Sequence, residues 1–283
     1  MRIHLLAEAS PNPVLTAVMA ELARRHEVAV YDARTLPSAY GREPGQQEPP
    51  DVVLLKSRTP EARRVARTAE RAGSLVVNPP AATTAALDRA ATADALERAG
   101  VPAPRSWSVP ALRELALRDL AADHAAHTAA LPWPLVVKSR TSSRRDLVRL
   151  VSSRTELAEL LPEWGDEPVV AQEFAANDGF DIKVWVIGTD LSAARRRSAL
   201  ESTDKSSDEL LDPDDLPEHW IRTARDAGAA LGLQLYGVDL LITGGRPVVV
   251  DINPFPGFRG AQEPADSLLR FLSTIATTRT VTA

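Results

Sequence analysis

Near its C-terminal end the chain reads LQLYGVDLLITGGRPVVVDINPFPGF, two long apolar runs joined through Thr-Gly-Gly. Apolar runs separated by a glycine pair read as an antiparallel hairpin, and this one carries acid where a strand should be apolar. Asp239 lies inside the first run, and Asp251 and Asn253 at the end of the second. Charge inside an apolar strand is costly unless it is paired or metal-bound. Residues 251 and 253 share a face, because side chains alternate along a strand. Register decides whether Asp239 joins them. A two-residue Gly244-Gly245 turn sets 239 opposite 250 and sends Asp251 to the other face, whereas a three-residue loop over 243–245 sets 239 opposite 249 and gathers all three. An odd-length turn or a bulge is therefore expected. Carboxylate and amide oxygens suit Mg²⁺, which keeps waters and completes its octahedron with substrate phosphates. The alternative is that these residues cap the NPFPGF turn that follows.

The first eighty residues alternate strand and helix patterns: RIHLLA, PVLTAVMAELARRH, VAVYDA, DVVLLK, TPEARRVARTAERAG and SLVVN. Thr59 is placed to cap the second helix, with Pro60 at its first position and Gly73 as its stop. Such alternation implies a parallel α/β sheet. From residue 81 the chain offers the helix DRAATADALERAG, the strand RSWSV and a helix over about 110–130 with Leu112, Leu115 and Leu120 on one face. PWPLVVKSR and DLVRLV follow as strands and TELAELLPEW as a helix. EPVVAQEF, DIKVWVIG and LSAARRRSA then read as adjacent antiparallel strands, and the acidic residues 201–218 as a mobile loop. The chain is thus expected to mix α/β and α+β, with a parallel lobe at 1–80, a central lobe at 81–167 and a C-terminal lobe at 168–283.

Composition excludes several classes. The 283 residues suffice for two or three small domains. A net charge of −5 argues against a general nucleic-acid binder. There is no cysteine, hence no disulfide, thiolate metal site or cysteine nucleophile. No apolar run approaches the ~18 residues of a membrane span, and MRIHLLAEAS looks like a first strand rather than a signal peptide. A cytoplasmic location is expected. His124 and His127, spaced i,i+3 in an Ala-rich stretch, read as a solvated face.

The ordered set AGVPAP, VVKSR, QEFAANDGFDIKVWVIG and DINPFPGF resembles the ATP-grasp superfamily over about residues 80–260. It is most similar to the branch of ribosomal-protein glutamate ligases and related carboxylate–amine ligases, with a second similarity to inositol polyphosphate kinases. The resemblance implies an ATP-grasp fold, with ATP and two Mg²⁺ ions (Mn²⁺ as an alternative) between two lobes that each hold an antiparallel sheet. It assigns Lys138 to the nucleotide phosphates, and Gln172, Glu173 and Phe174 to the adenine hinge. Asp181 falls to the ribose, Lys183 to the phosphate end, and Arg195, Arg196 and Arg197 to the transferred phosphoryl and the acceptor. Asp239, Asp251 and Asn253 match its magnesium ligands, and Gly257 falls on the acceptor side. Two departures stand out. Arg89 takes the place of a lysine, keeping charge but changing reach. The loop after Lys138, TSSRRD, has no glycine, so Ser142, Ser143, Arg144 and Arg145 must replace backbone contacts to phosphate with side-chain ones.

The expected activity is an ADP-forming ligase that joins a small-molecule or peptide carboxylate to an amine through an acyl phosphate. A kinase acting on an inositol phosphate-like polyol and a nucleotide-binding module without turnover are the alternatives. No nucleic acid or membrane partner is expected, and a homodimer is left open. Lys-Ser-Arg-Thr occurs twice, at 56–59 and 138–141. The first copy runs into a helix N-terminus that favours an anion, which makes Lys56, with Arg58, a candidate substrate contact. The two copies are expected to be unrelated in role and alike by chance.

Overall fold

The computed structural model describes residues 1–8, 13–35, 49–122, 131–141, 147–198, 200 and 208–282. The glycine-free loop with Ser142, Ser143, Arg144 and Arg145, the pair His124 and His127, and residues 201–207 of the acidic segment lie outside them.

The first lobe is β1 (Arg2–Ala7), α1 (Pro13–Leu22), β2 (Glu27–Asp32), β3 (Val52–Leu55), α2 (Pro60–Arg71) and β4 (Leu75–Val77), with the parallel order β2-β1-β3-β4. All four residues of β3 are buried, as in a strand covered on both faces. Thr59 caps α2 as expected, its side-chain oxygen accepting from Ala62 N.

The central sheet follows. Helices α3 (Pro80–Leu87) and α4 (Arg89–Arg98) precede β5 (Ser106–Val109), α5 (Leu112–Ala122), β6 (Leu135–Ser139), β7 (Val148–Val151), α6 (Arg154–Trp164) and β8 (Val169–Glu173). The strands form the antiparallel order β5-β8-β6-β7. Three sequence expectations are corrected here. Helix α3 has no counterpart among the elements read from sequence. Leu120 is exposed, because the turn facing the core carries Asp119 instead, whose buried carboxylate accepts from Arg154 Nε at 2.7 Å. EPVVAQEF does not lie beside DIKVWVIG: β8 sits between β5 and β6, its Val169 and Ala171 packed in the apolar layer with Leu112, Leu115 and Leu157. The change of sheet therefore falls after Glu173.

The last sheet comprises β9 (Phe180–Ile187), β10 (Asp190–Arg197), β11 (Glu209–Leu211), β12 (Leu235–Thr243) and β13 (Arg246–Pro254), ordered β11-β10-β9-β12-β13. Within the acidic segment expected to be a loop, β11 is a short strand on β10. Helix α7 (Glu218–Leu231) precedes β12, and α8 (Pro264–Thr282) ends the described chain. One face of this sheet packs on α7, α3 and α4 through Ile182, Val184, Val238, Ala82 and Leu96. The other face shares a core with the first lobe, where Trp185, Ile187 and Leu235 meet Ile3, Leu5 and Leu54, together with Leu268 of α8. The first and last lobes are therefore one packed body. Among the described residues no helix is long and apolar enough to cross a membrane.

The hairpin resolves the register question by the second of the two expected routes. The turn is the two-residue Gly244-Gly245, with φ of 57° and 79°, the left-handed conformation such hairpins require. A bulge then breaks the ladder between Asp239 and Leu240, so that Asp239 pairs with Asp251 and Leu240 with Val249. Val250 is the extra residue, and the two carboxylates share a face.

Candidate active site

The β12–β13 hairpin carries Asp239, Asp251 and Asn253, and basic side chains reach it from the central sheet, from β9 and β10, and from the first lobe. The bulge frees the Val250 carbonyl from the ladder, and Lys138 Nζ from β6 donates to it at 2.8 Å and to Gln172 Oε1 at 2.9 Å. Gln172 in turn donates to Ser106 Oγ at 3.3 Å. Burial of the Lys138 ammonium pushes its pKa down to about 8, with Asp251 pulling the other way. A lysine taken out of water keeps its charge only if hydrogen bonds replace hydration, and the bulge supplies one of them.

On the adjoining strand face, Asp239 Oδ1 lies 2.8 Å from both Lys183 Nζ and Arg196 Nη2. Lys183 reaches it across Gly237, where a Cβ would come within 2.9 Å of Lys183 Cε. Glycine in a strand interior marks such close approaches. Asp181 stands beside this group, 3.8 Å from Arg196. Burial, and then repulsion from Asp239, push its carboxyl up to about 6. Its Oδ1 and the Arg196 Nε are buried without a hydrogen bond.

Arg89 begins α4 and donates to the Ser139 carbonyl at 2.7 Å, with its Nε 3.9 Å from Asp251 Oδ1. Asp88 caps the same helix and holds Arg140 through two nitrogens at 2.8–3.0 Å. Ser139 closes the neck of the following loop, exchanging hydrogen bonds with Leu147 at 2.9 Å. The cleft between the central and last sheets holds about 160 Å³ and is lined by Val136, Val148, Leu241, Glu173 and Phe174 beside Lys138. Because Val136 pairs with Gln172 and Lys138 with Val170, residues 173 and 174 lie beyond the Val136 end and Lys138 further in. An apolar slot leading to cations suits a flat ring with a phosphate tail.

The first lobe contributes the other copy of Lys-Ser-Arg-Thr. Lys56 Nζ donates to the Phe255 carbonyl at 2.7 Å, and Arg58 Nη2 to Asn253 Oδ1 at 2.5 Å. Burial, and then Arg58, push the Lys56 pKa down to about 8. Phe255 and Phe258 are buried at φ of 53° and 56°, and Gly257 is exposed on the turn between them. The first lobe is stitched to β12 by Asn78, which donates to Leu235 O at 2.7 Å and accepts from Gln234 N and Leu235 N at 2.9 and 3.0 Å.

Of the residues singled out in the sequence, Lys56, Arg58, Arg89, Lys138, Gln172, Asp181, Lys183, Arg196, Asp239, Asp251 and Asn253 are brought into this one region, with Glu173 and Phe174 lining the cleft. Arg195 and Arg197 are not. Strand alternation turns both to the opposite face, over the Phe180 ring at 3.6 and 5.5 Å, with Arg195 also 3.0 Å from Asp178. Asn78 and Gly237 were missed in the sequence, and the expected bulge was not located at Val250; of these, Gly237 alone carried a signal, as a glycine inside a strand. For a metal, no group of three or more His, Cys, Asp or Glu is present among the described residues. The hard oxygens of Asp239 and Asp251, paired across the ladder, and of Asn253 nonetheless fit a magnesium ion that takes its remaining ligands from water and phosphate.

Residues 90–266 match the RimK-like ATP-grasp domain. Over 288 residues the chain is 27% identical to a probable alpha-L-glutamate ligase of Vibrio vulnificus, covering 93% of this chain and 90% of that protein. An inositol-tetrakisphosphate 1-kinase of Danio rerio is 26% identical over 179 residues, and a probable alpha-L-glutamate ligase of Shewanella loihica 27% over 205. The chain spans 44% and 65% of their respective lengths. Among solved structures, an ATP-grasp RimK domain protein from Sphaerobacter thermophilus superposes with a TM-score of 0.73 at 22% identity, over 96% of this chain and 99% of that one. A D-alanine–D-alanine ligase from Bacillus anthracis gives 0.71 at 18%, over 98% and 97%.

Proposed function

The chain belongs to the RimK-like ATP-grasp family, and from that premise we propose that it is an ATP-dependent ligase joining a carboxylate to an amine, with ADP and phosphate released. The observation that carries the reading is the meeting of two sets of cations on one hairpin, β12 and β13. Lys138, Arg89, Lys183 and Arg196 gather on the side of the apolar cleft, and Lys56 and Arg58 arrive from the first lobe. A kinase or ligase of this kind does little covalent chemistry with its own side chains; it positions reactants and stabilises charge.

In this reading the cleft takes the nucleotide, its base against Val136, Val148 and Leu241 and its phosphates at Lys138, Lys183 and Arg89. Asp239, Asp251 and Asn253 would hold magnesium, two ions in the family's manner, which when bound neutralises phosphate charge. An oxygen of the acceptor carboxylate, held by Arg58 and Lys56, attacks the γ-phosphorus, and the bond to ADP breaks. The amine then attacks the acyl carbon; the carbon–oxygen bond breaks, phosphate leaves and the amine gives up a proton. Arg196, aimed at the same face from β10, stabilises the phosphoryl oxygens.

The test is ADP release with pairs of candidate carboxylates and amines. Release that needs both partners supports the ligase. The likeness to an inositol phosphate kinase favours one rival, phosphoryl transfer alone, and ADP release with a phosphorylated polyol and no amine would establish it. Asp251→Asn is expected to abolish magnesium-dependent release while the chain stays folded by circular dichroism. Retained activity would remove Asp251 from the site.

A further inference from the structure

Gln172 lines two cavities. One is the cleft with Val136, Val148 and Leu241, and the other, of about 620 Å³, is bounded by α4, residues 100–107 and β13. Its amide spans this boundary in a directed chain of hydrogen bonds. Lys138 Nζ donates to Gln172 Oε1 at 2.9 Å, Gln172 Nε2 donates to Ser106 Oγ at 3.3 Å, and Ser106 Oγ donates to the Pro104 carbonyl at 3.1 Å. We propose that Ser106 is a positioning residue for nucleotide recognition: it fixes the Gln172 amide with its oxygen toward Lys138 and the cleft, and so selects a base that offers an exocyclic amine there over one that offers a carbonyl. The proposal rests on the reading of the cleft as the nucleotide site given above.

Both ends of the chain dictate the same direction. An ammonium has donors only, so it takes the oxygen of an amide and rejects its nitrogen. A serine hydroxyl has one proton, and Ser106 gives it to Pro104, so it meets Gln172 as an acceptor. A half-turn of the amide would set N–H against ammonium and oxygen against oxygen, losing both contacts. Register brings the three side chains together: Ser106 opens β5 opposite Gln172, Gln172 pairs with Val136, and Lys138 lies two residues further along β6. A carbonyl oxygen has two lone pairs; Lys138 takes one, and the other is open to an amine of the base. A base carbonyl in that place faces the amide acceptor to acceptor, and desolvated polar groups left without partners are costly. Once a phosphate engages Lys138, Ser106 is the contact that still holds the direction of the amide. Without the hydroxyl, water in the larger cavity takes its place at Gln172, and water donates as readily as it accepts.

The experiment titrates the full chain by calorimetry, in magnesium, with ADP and with inosine diphosphate, which carries a carbonyl at the ring carbon where ADP carries its amine. The wild type is expected to favour ADP by about thirtyfold. Ser106→Ala is expected to lower that preference about tenfold, and Ser106→Thr, which keeps the hydroxyl, to restore it. Valine and threonine have the same shape, so Ser106→Val is expected to follow the alanine variant, and this pair decides should Ser106→Ala not fold. In Gln172→Glu both ends of the side chain are oxygens and nothing is left to orient. Adding Ser106→Ala to that variant is expected to leave the preference unchanged. Equal weakening of both nucleotides in Ser106→Ala, or an unchanged ratio, overturns the proposal, since lost packing does not tell an amine from a carbonyl. A wild type indifferent to the base overturns it too. Those outcomes leave the nucleotide in the cleft. ADP binding that survives Val136→Trp at wild-type affinity removes it from the cleft and overturns both readings.

Discussion

Lys56 and Lys138, each the first residue of a Lys-Ser-Arg-Thr sequence, donate to backbone carbonyls along the same segment of chain: Lys138 to Val250 within β13 and Lys56 to Phe255 just beyond its end. The two copies, expected to be unrelated in role, share a geometry. Lys138 lies within the buried strand β6 and Lys56 directly follows the buried strand β3; the one lysine reaches β13 and the other the residue after it. One comes from the central sheet and the other from the first lobe.

Lys138 gives a pH signature. Its ammonium, depressed to about 8 by burial, is charged at neutral pH in the free chain and neutral above that value. ADP affinity is expected to fall by up to about tenfold per pH unit above pH 8, because the neutral amine no longer attracts phosphate. Calorimetric titration across this range reads it, with Lys138→Arg lacking the step. A flat wild-type profile would take Lys138 away from the phosphates.

Gly237→Ala should act on Lys183. The new methyl group overlaps Lys183 Cε and must displace the chain from Asp239. Nucleotide affinity is expected to drop about tenfold, while stability changes by only about 1 kcal/mol, the cost of a lost partly buried pair and local strain. Ligand titration and urea unfolding separate the two, and an unaltered ADP affinity would show that Lys183 has no part in binding.

Asn78→Ala removes three hydrogen bonds, two of them wholly buried. Leaving the Leu235 amide and carbonyl without partners is expected to cost about 2–4 kcal/mol in urea unfolding. A loss well under that range would mean that water or the neighbouring backbone replaces the amide.

Asp181→Asn should stabilise the protein at neutral pH. Burial and Asp239 raise the Asp181 carboxyl from 3.8 to about 6, so the folded chain holds this proton more tightly than the unfolded one. Any stability the proton confers is present below pH 4 and is lost as pH rises through 6. The amide removes that loss, and a gain of about 1–3 kcal/mol at pH 7, vanishing near pH 4, is expected. A variant less stable than wild type at pH 7 would show that the carboxylate's attraction to Arg196 outweighs its burial.

What could be read from sequence followed the strength of the physical constraint. Two acids in apolar strands have few tolerable arrangements, so their shared face was legible. The bulge that achieves it was not located, because Val250 is indistinguishable by type from the valines around it. Thr59 and Pro60 announced α2 by cap chemistry alone. The run Arg195, Arg196, Arg197 misled by proximity in sequence: strand alternation sends only the middle one to Asp239. β8 was misplaced because antiparallel strands of similar texture do not advertise their partners. Lys56 and Lys138 both bind backbone carbonyls, and no residue type at the receiving end records that.

The core shared by the first and last lobes sets how this chain can be cut and recombined. Ile3, Leu5 and Leu54 pack against Trp185, Ile187 and Leu268, residues at opposite ends of the polypeptide, whereas the central sheet keeps an apolar layer of its own. An exchange of first lobes between relatives, attempted to alter acceptor choice, would sever that core unless β9, β12 and α8 travel with it. The portable module is the central one, grafted through the segments on either side of β5–β8, and a chimaera built that way keeps Lys56 and Arg58 on the last hairpin while changing the sheet that supplies Lys138.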